Sequence, residues 1–279
     1  MIIDASVNFK PHTQLNLYRH LGIAPDAGRP WTASRLLEEM DAAGVDQVGL
    51  IANVVANGVG GEVFANHVDV VKGVIDDCAG RVFGWVGIDP TGRRATTRYI
   101  EYAVRDLGFK GVHVYPHWFG VRVDDATYYP IYAKCEELGV PITLQVGSQS
   151  MRSGAKLCAR PFWLDKVACD FPDLKLVGMH IGTPWAGEMI ELCRLHKNVF
   201  IMADAHPPST WEPELIEYLS EPPEVGDGRT KVFWGTDHPV QKFAPSLAEL
   251  QTLGLDADTM AGLLSDNARR VLDLEARGS

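Results

Sequence analysis

The sequence has no CxxC pair, no GxGxxG after its first strand-like run and no block of basic residues. It also has no apolar stretch approaching the roughly 20 residues that span a bilayer. Each absence removes a class. Five scattered cysteines, an odd number, argue against a disulfide framework and for free thiols in a reducing cytoplasm. The opening MIIDASVNF lacks the basic start and apolar core of a secretory signal. Lys and Arg number 26 against 36 Asp and Glu, a net charge of −10, so neither nucleic acid nor an anionic membrane is an expected partner. A small-molecule substrate is, and an anionic one remains compatible, because one buried arginine outweighs a distant surface.

What is present is a globular composition, 46% hydrophobic over 279 residues, with no linker or shift in composition. Short Val- and Ile-rich runs alternate with helical patterns from end to end. The runs are Ile2–Asn8, Val48–Asn53, Val82–Ile88, Gly111–Tyr115, Ile142–Val146, Leu174–His180, Val199–Ala203 and Val232–Thr236. Helices are expected at Ala33–Ala43, Gly60–Cys78, Ala95–Leu107, Asp124–Leu138, Phe162–Asp170, Trp185–Leu195, Pro213–Leu219, Ser246–Leu253 and Asp258–Leu272. Eight strand–helix repeats predict an α/β fold, a single-domain (β/α)8 TIM-like barrel over residues 1–279.

A barrel of this kind gathers its chemistry at the C-terminal strand ends, and alternate residues face inward. That rule selects Asp4, Ser6 and Asn8 on the first strand, His113 and Tyr115 on the fourth, with His117 just beyond, and Thr143 and Gln145 on the fifth. The later strands add His180, Asp204 and Asp237, with His238 on the opposite parity. Blander readings stand beside these: a histidine satisfied by backbone bonds at His113, and a helix N-cap ahead of Pro239 at Asp237. Arg152 and Arg160, after the fifth strand, are either a bidentate clamp for a substrate carboxylate or solvated loop residues. Trp118, Trp163 and Trp185 lie near strand ends and could wall an aromatic pocket; Trp234 has the wrong parity and should pack outward.

The order of several segments resembles the amidohydrolase superfamily, in particular the amidohydrolase-related branch that includes carboxymuconate-semialdehyde decarboxylase. IIDASVNF stands where that family has Ile-Asp-x-His-x-His. FPDLKLVGMHIGTPW, NVFIMADA, KVFWGTDHPV and DNARRVLDL match its sixth, seventh and eighth strands and its closing helix. The resemblance implies His180 as the catalytic, non-ligating histidine and Asp237 as a metal ligand. Its three metal-binding histidines fall instead on Ser6, Asn8 and Gln145, which are poor replacements for imidazole. We therefore expect a degenerate metal site, no tightly bound metal and no cofactor.

Without a metal to acidify water, easier reactions come forward. The leading expectation is a metal-independent hydrolase acting on a lactone or activated carbonyl bond of a small carboxylated or phenolic compound. The alternatives are a cofactor-free decarboxylase or carbon–carbon lyase for a phenolic or keto acid, and a non-catalytic binding protein. Asp237 would serve as base or proton shuttle and His180 as acid; His113 and Tyr115 would donate to an oxyanion. Ser6, Asn8 and Gln145 would form a neutral polar floor. By analogy with the family, a homodimer is expected.

Overall fold

The computed structural model describes residues 1–8, 32–56, 63–65, 67–147 and 156–275. Ten strands run in chain order: β1 Ile3–Asn8, β2 Gln47–Ala52, β3 Val54–Ala56, β4 Val63–Ala65, β5 Val82–Gly87, β6 Gly111–Val114, β7 Ile142–Gln145, β8 Leu176–Met179, β9 Val199–Ala203 and β10 Val232–Trp234. Eight of them form one sheet, β1-β2-β5-β6-β7-β8-β9-β10, and every neighbouring pair is parallel. The sheet curls almost shut. Its seam is a single bridge between Val7 and His238, with the Asn8 amide donating to the His238 carbonyl at 2.9 Å.

Each expected strand run coincides with an observed strand to within about two residues at either end, because the apolar runs are buried on both faces. One layer lies inside: Ile3, Ala5, Ile51, Phe83, Trp85, Val177, Met179, Phe200, Met202 and Phe233 pack together. Ala268, Val271 and Leu272 of the helix Asn267–Leu272 close this layer at the strand starts. The mouth therefore opens at the other end, where the strands stop. The alternate residues pack outward against the helices. Trp234 does so as expected, its indole donating to Ser246 at 3.1 Å.

Three expectations need correction. The stretch read as one helix, Gly60–Cys78, contains β4, which pairs antiparallel with β3, and its helix is only Val68–Asp76. The helix expected from Asp124 begins at Tyr129, because the Asp125 carboxylate accepts from the amide and hydroxyl of Thr127 and makes a turn there instead. Strict alternation along β1 is also interrupted: the register with β2 shifts between Asp4 and Val7. Ile3 and Ala5 join the inner layer, while Asp4 turns its carboxylate to the seam. No helix of the described residues is long and apolar enough to cross a membrane.

Candidate active site

Strained backbone marks the mouth. His180 and Ile181 after β8, Ala205 after β9 and Asp237 after β10 all have φ between 54° and 63°. Side chains rarely occupy that region unless surrounding contacts hold them there. At His180 that contact is a carboxylate, at Asp237 the Asn8 amide donates to the backbone carbonyl, and at Ala205 the Gln241 amide does.

Asp204 is fully buried and accepts the His180 amide at 2.7 Å, and its Oδ1 lies 3.2 Å from His180 Nδ1. The link joins adjacent strands, since β8 pairs with β9. Burial disfavours the charged form of each partner, but each stabilises the other's charge. The imidazole is held above its ordinary range, helped by Asp237, and the carboxyl is held below its own, helped by Ser6. His180 Nε2 is buried and makes no hydrogen bond among the described residues.

His113 is the opposite case. Burial, and then the charge of His180, push it down to about 3, so it is neutral. It stands directly opposite Thr143 in the β6–β7 register, and its Nδ1 lies 2.8 Å from the threonine hydroxyl. Thr143 has one hydroxyl proton, which goes to the Val112 carbonyl at 3.2 Å. The hydroxyl therefore accepts from Nδ1–H, which leaves His113 Nε2 a bare acceptor. That atom, like Gln145 Oε1, is buried with no hydrogen-bond partner among the described residues.

A second network runs toward Asp237. Its Oδ1 accepts from Asn8 Nδ2 at 2.6 Å; Asn8 Oδ1 accepts from Asn53 Nδ2 at 3.0 Å; Asn53 Oδ1 accepts from the Tyr115 hydroxyl. A carboxylate only accepts, so its end fixes the polarity of the whole chain. Below it, Asp4 accepts from the amides of Ser6 and Thr236 at 3.0 Å and from the Thr236 hydroxyl at 2.5 Å. Burial raises Asp4 to about 7 against these bonds.

Most of the expected residues thus meet at one end of the barrel: Ser6, Asn8, His113, Tyr115, His117, Trp118, Gln145, His180 and Asp237 are all buried there. Trp118 packs against Tyr115 and His117 with ring centroids 6.2 and 5.9 Å away, on the short helix Pro116–Phe119. The oxyanion-donor role does not fit two of them. His113 presents a lone pair, and the proton of Tyr115 is committed to Asn53. Arg160 is not a clamp either: its side chain is 45% exposed and binds Glu188 at 2.9 and 3.1 Å. Arg152 lies outside the described residues. His238 turns away from the mouth, its Nε2 3.1 Å from Glu39 and its ring stacked on Phe243.

One member of the site, Asn53, escaped the sequence reading. Asn53 ends the run that begins at Val48 and has the inward parity of Ile51, so the strand-end rule could have found it. Asp204 was singled out by that rule, but its partnership with His180 depends on β8 and β9 lying side by side.

A sequence model of the amidohydrolase family matches residues 9–274. The chain belongs to the amidohydrolase family. No curated protein matches this sequence. Among solved structures it is similar to an uncharacterized TIM-barrel protein from Bordetella bronchiseptica, at 23% identity and TM-score 0.79, covering 98% of each chain. It is similar to 5-carboxyvanillate decarboxylase from Sphingomonas paucimobilis, at 18% identity and TM-score 0.71, covering 98% of this chain and 99% of that one. A dihydroxybenzoic acid decarboxylase from a Polaromonas species, with bound manganese and 2-nitroresorcinol, has 16% identity and TM-score 0.74, covering 98% and 96%. At such identities the likeness establishes the barrel.

The manganese in that relative raises the question of fit. Positions implied as ligands carry Ser6, Asn8 and Gln145, all neutral, and only Asp237 is a carboxylate. Asn8 points its N–H groups, not its oxygen, at Asp237, and its oxygen is taken by Asn53. An amide N–H therefore stands where a cation's ligand would be needed. Among the described residues, the mouth also contains no trio of His, Cys, Asp or Glu with donor atoms close enough to share an ion. Among the described residues, the donor set at the mouth does not fit a tightly held divalent metal.

Proposed function

We propose that this amidohydrolase-family protein is a decarboxylase of small hydroxylated aromatic acids that works without a resident metal. The observation that carries this reading is the pair of buried imidazoles in opposite states. His180 is held toward imidazolium by Asp204 and His113 is held neutral, and the Nε2 of each is unpartnered. One is a charged donor and the other an acceptor, which matches a ring bearing a carboxylate beside a hydroxyl. The named decarboxylases among similar structures support the same substrate class.

The chemistry is a proton exchange at carbon. His180 Nε2–H gives its proton to the ring carbon that bears the carboxylate, with electron density supplied by the hydroxyl that His113 accepts from. The carbon–carbon bond then breaks, its electron pair restores the aromatic ring, and carbon dioxide leaves. His180 keeps its Nδ1–H, held against the Asp204 carboxylate, throughout, which fixes the tautomer that remains. Asp237 contributes its charge, which favours the protonated form of His180. Buried Tyr115 and Trp118 supply an aromatic wall.

Hydrolysis of a lactone is the second reading, favoured by the Asp237 carboxylate at the mouth, only 8% exposed and oriented by Asn8 as a base for water would be. Incubation of the full chain with a panel of hydroxybenzoates and aromatic lactones separates the two. The expected result is carbon dioxide release that persists after chelation and dialysis. Lactone opening without carbon dioxide overturns decarboxylation. Activity restored only by added manganese or zinc overturns metal independence.

A further inference from the structure

Far from the mouth, the helix Leu164–Asp170 carries Asp165 and Cys169 four residues apart, hence on one side. The helix Ala186–Leu195 ends just before His196, which faces them. His196 Nε2 lies 2.8 Å from Asp165 Oδ1, and the carboxylate, thiol and imidazole donor atoms all fall within 4.8 Å of one another. This is the only such trio among the described residues. Neither the proposed reaction nor the closure of the barrel uses it.

We propose that Asp165, Cys169 and His196 form a binding site for a zinc-type divalent cation. Thiolate, imidazole and carboxylate are the three donor types zinc accepts, whereas magnesium and calcium take oxygen. Donors around a tetrahedral zinc sit roughly 3.3–3.8 Å apart, so the His196–Asp165 contact opens slightly and the thiol closes in. Water takes the fourth position. The Cys169 proton leaves to solvent as the sulfur–metal bond forms, with no change of oxidation state. The trio is open to an arriving ion: Cys169 is exposed, and the Asp165 side chain is 46% exposed. Neighbouring ammonium groups are engaged elsewhere, Lys166 with Asp170 and Lys231 with the carbonyls of His196, Lys197 and Val199.

The trio lies ahead of β8 and β9, at the end of the barrel opposite the mouth. An ion here ties two successive outer helices together and stays out of the chemistry. The test is titration of the full chain with cobalt(II) and, separately, zinc, beside Cys169→Ser and His196→Ala. The expected result is a thiolate-to-cobalt charge-transfer band, and a zinc-dependent rise in Tm of about 5 °C at a hundredfold excess over Kd. Both signals vanish in both variants, while activity of the parent is unchanged by zinc at this site. No thiolate band, or a band or Tm rise that survives in either variant, overturns the site. The band reads sulfur ligation, so the outcome is independent of whether the mouth decarboxylates anything.

Discussion

The two halves of the barrel mouth are built on opposite principles. On the side of β1, β2 and β10, Asn8 and Asn53 use both ends of their amides and Asp4 is bonded by three donors. On the side of β6 to β9, His113 Nε2, His180 Nε2 and Gln145 Oε1 are buried with no partner among the described residues. A buried polar atom without a partner costs about 1–3 kcal/mol, so the second half is where a ligand's polar groups recover free energy. The closed half takes three of the four positions that the family resemblance assigns to metal ligands, Ser6, Asn8 and Asp237; the fourth, Gln145, lies on β7 in the other half. It braces Asp237, and the half that the proposed reaction uses is marked by the contrast in charge between two histidines.

The largest effect comes from removing the charged donor. His180→Gln keeps the volume and one N–H but cannot deliver a proton, and kcat for decarboxylation should fall about 10²–10⁴-fold, with the far-ultraviolet spectrum unchanged. A loss under tenfold would place the chemistry in the other half. Asp204→Asn is the next test. It retains an acceptor for the His180 amide but removes the charge that favours imidazolium, so kcat should drop on the order of 10²-fold. The sign of the pH effect follows from the raised state of His180. The active acid form is lost as pH rises through that elevated value; without Asp204, burial pulls the value down and the falling limb moves to lower pH. A limb that stays in place would separate Asp204 from proton delivery.

The closed half should respond in stability more than in rate. Asn8→Ala leaves Asp237 Oδ1 and the Asn53 amide without their partner, and should cost about 1–3 kcal/mol in urea unfolding. Asp4 gives a subtler signature. Its carboxyl titrates near 7 when folded, against an ordinary 3.8, so the folded state holds the proton across that window. Its contribution is complete below the lower value, declines as pH rises and is gone above 7. Asp4→Asn removes that slope. Between pH 4 and pH 8 the balance should move toward the variant by up to about 4 kcal/mol. Parallel pH profiles for variant and parent would refute the assignment.

Much of this was readable from residue order, for identifiable reasons. Two-sided burial makes each strand a continuous apolar run, so the strands from Val82 and from Val199 stand out unaided. Parity then places His113, Gln145 and Asp237 at the mouth. What parity does not carry is anything set between strands. The tautomer of His113 depends on Thr143 across a ladder, the state of His180 depends on Asp204 24 residues away, and the turn of Asp4 to the seam follows a register shift in β1. The hairpin of β3 and β4 was missed for the same reason, since each strand has only three residues and its evidence is the other.

The smallest expected effect tests the boundary of the reactive half. Arg160 follows β7, where an arginine would suit a substrate carboxylate, yet its guanidinium forks onto Glu188 at 2.9 and 3.1 Å on an exposed helix face. Exposed pairs of this type contribute about 0–1 kcal/mol. Arg160→Ala should therefore leave KM for an aromatic acid within twofold and lower stability by less than about 1 kcal/mol. A tenfold rise in KM would mean that Arg160 exchanges Glu188 for substrate. In that case the reactive half extends beyond the buried histidines to the segment after β7, and the carboxylate, not the ring hydroxyl, would be the group that orients the substrate.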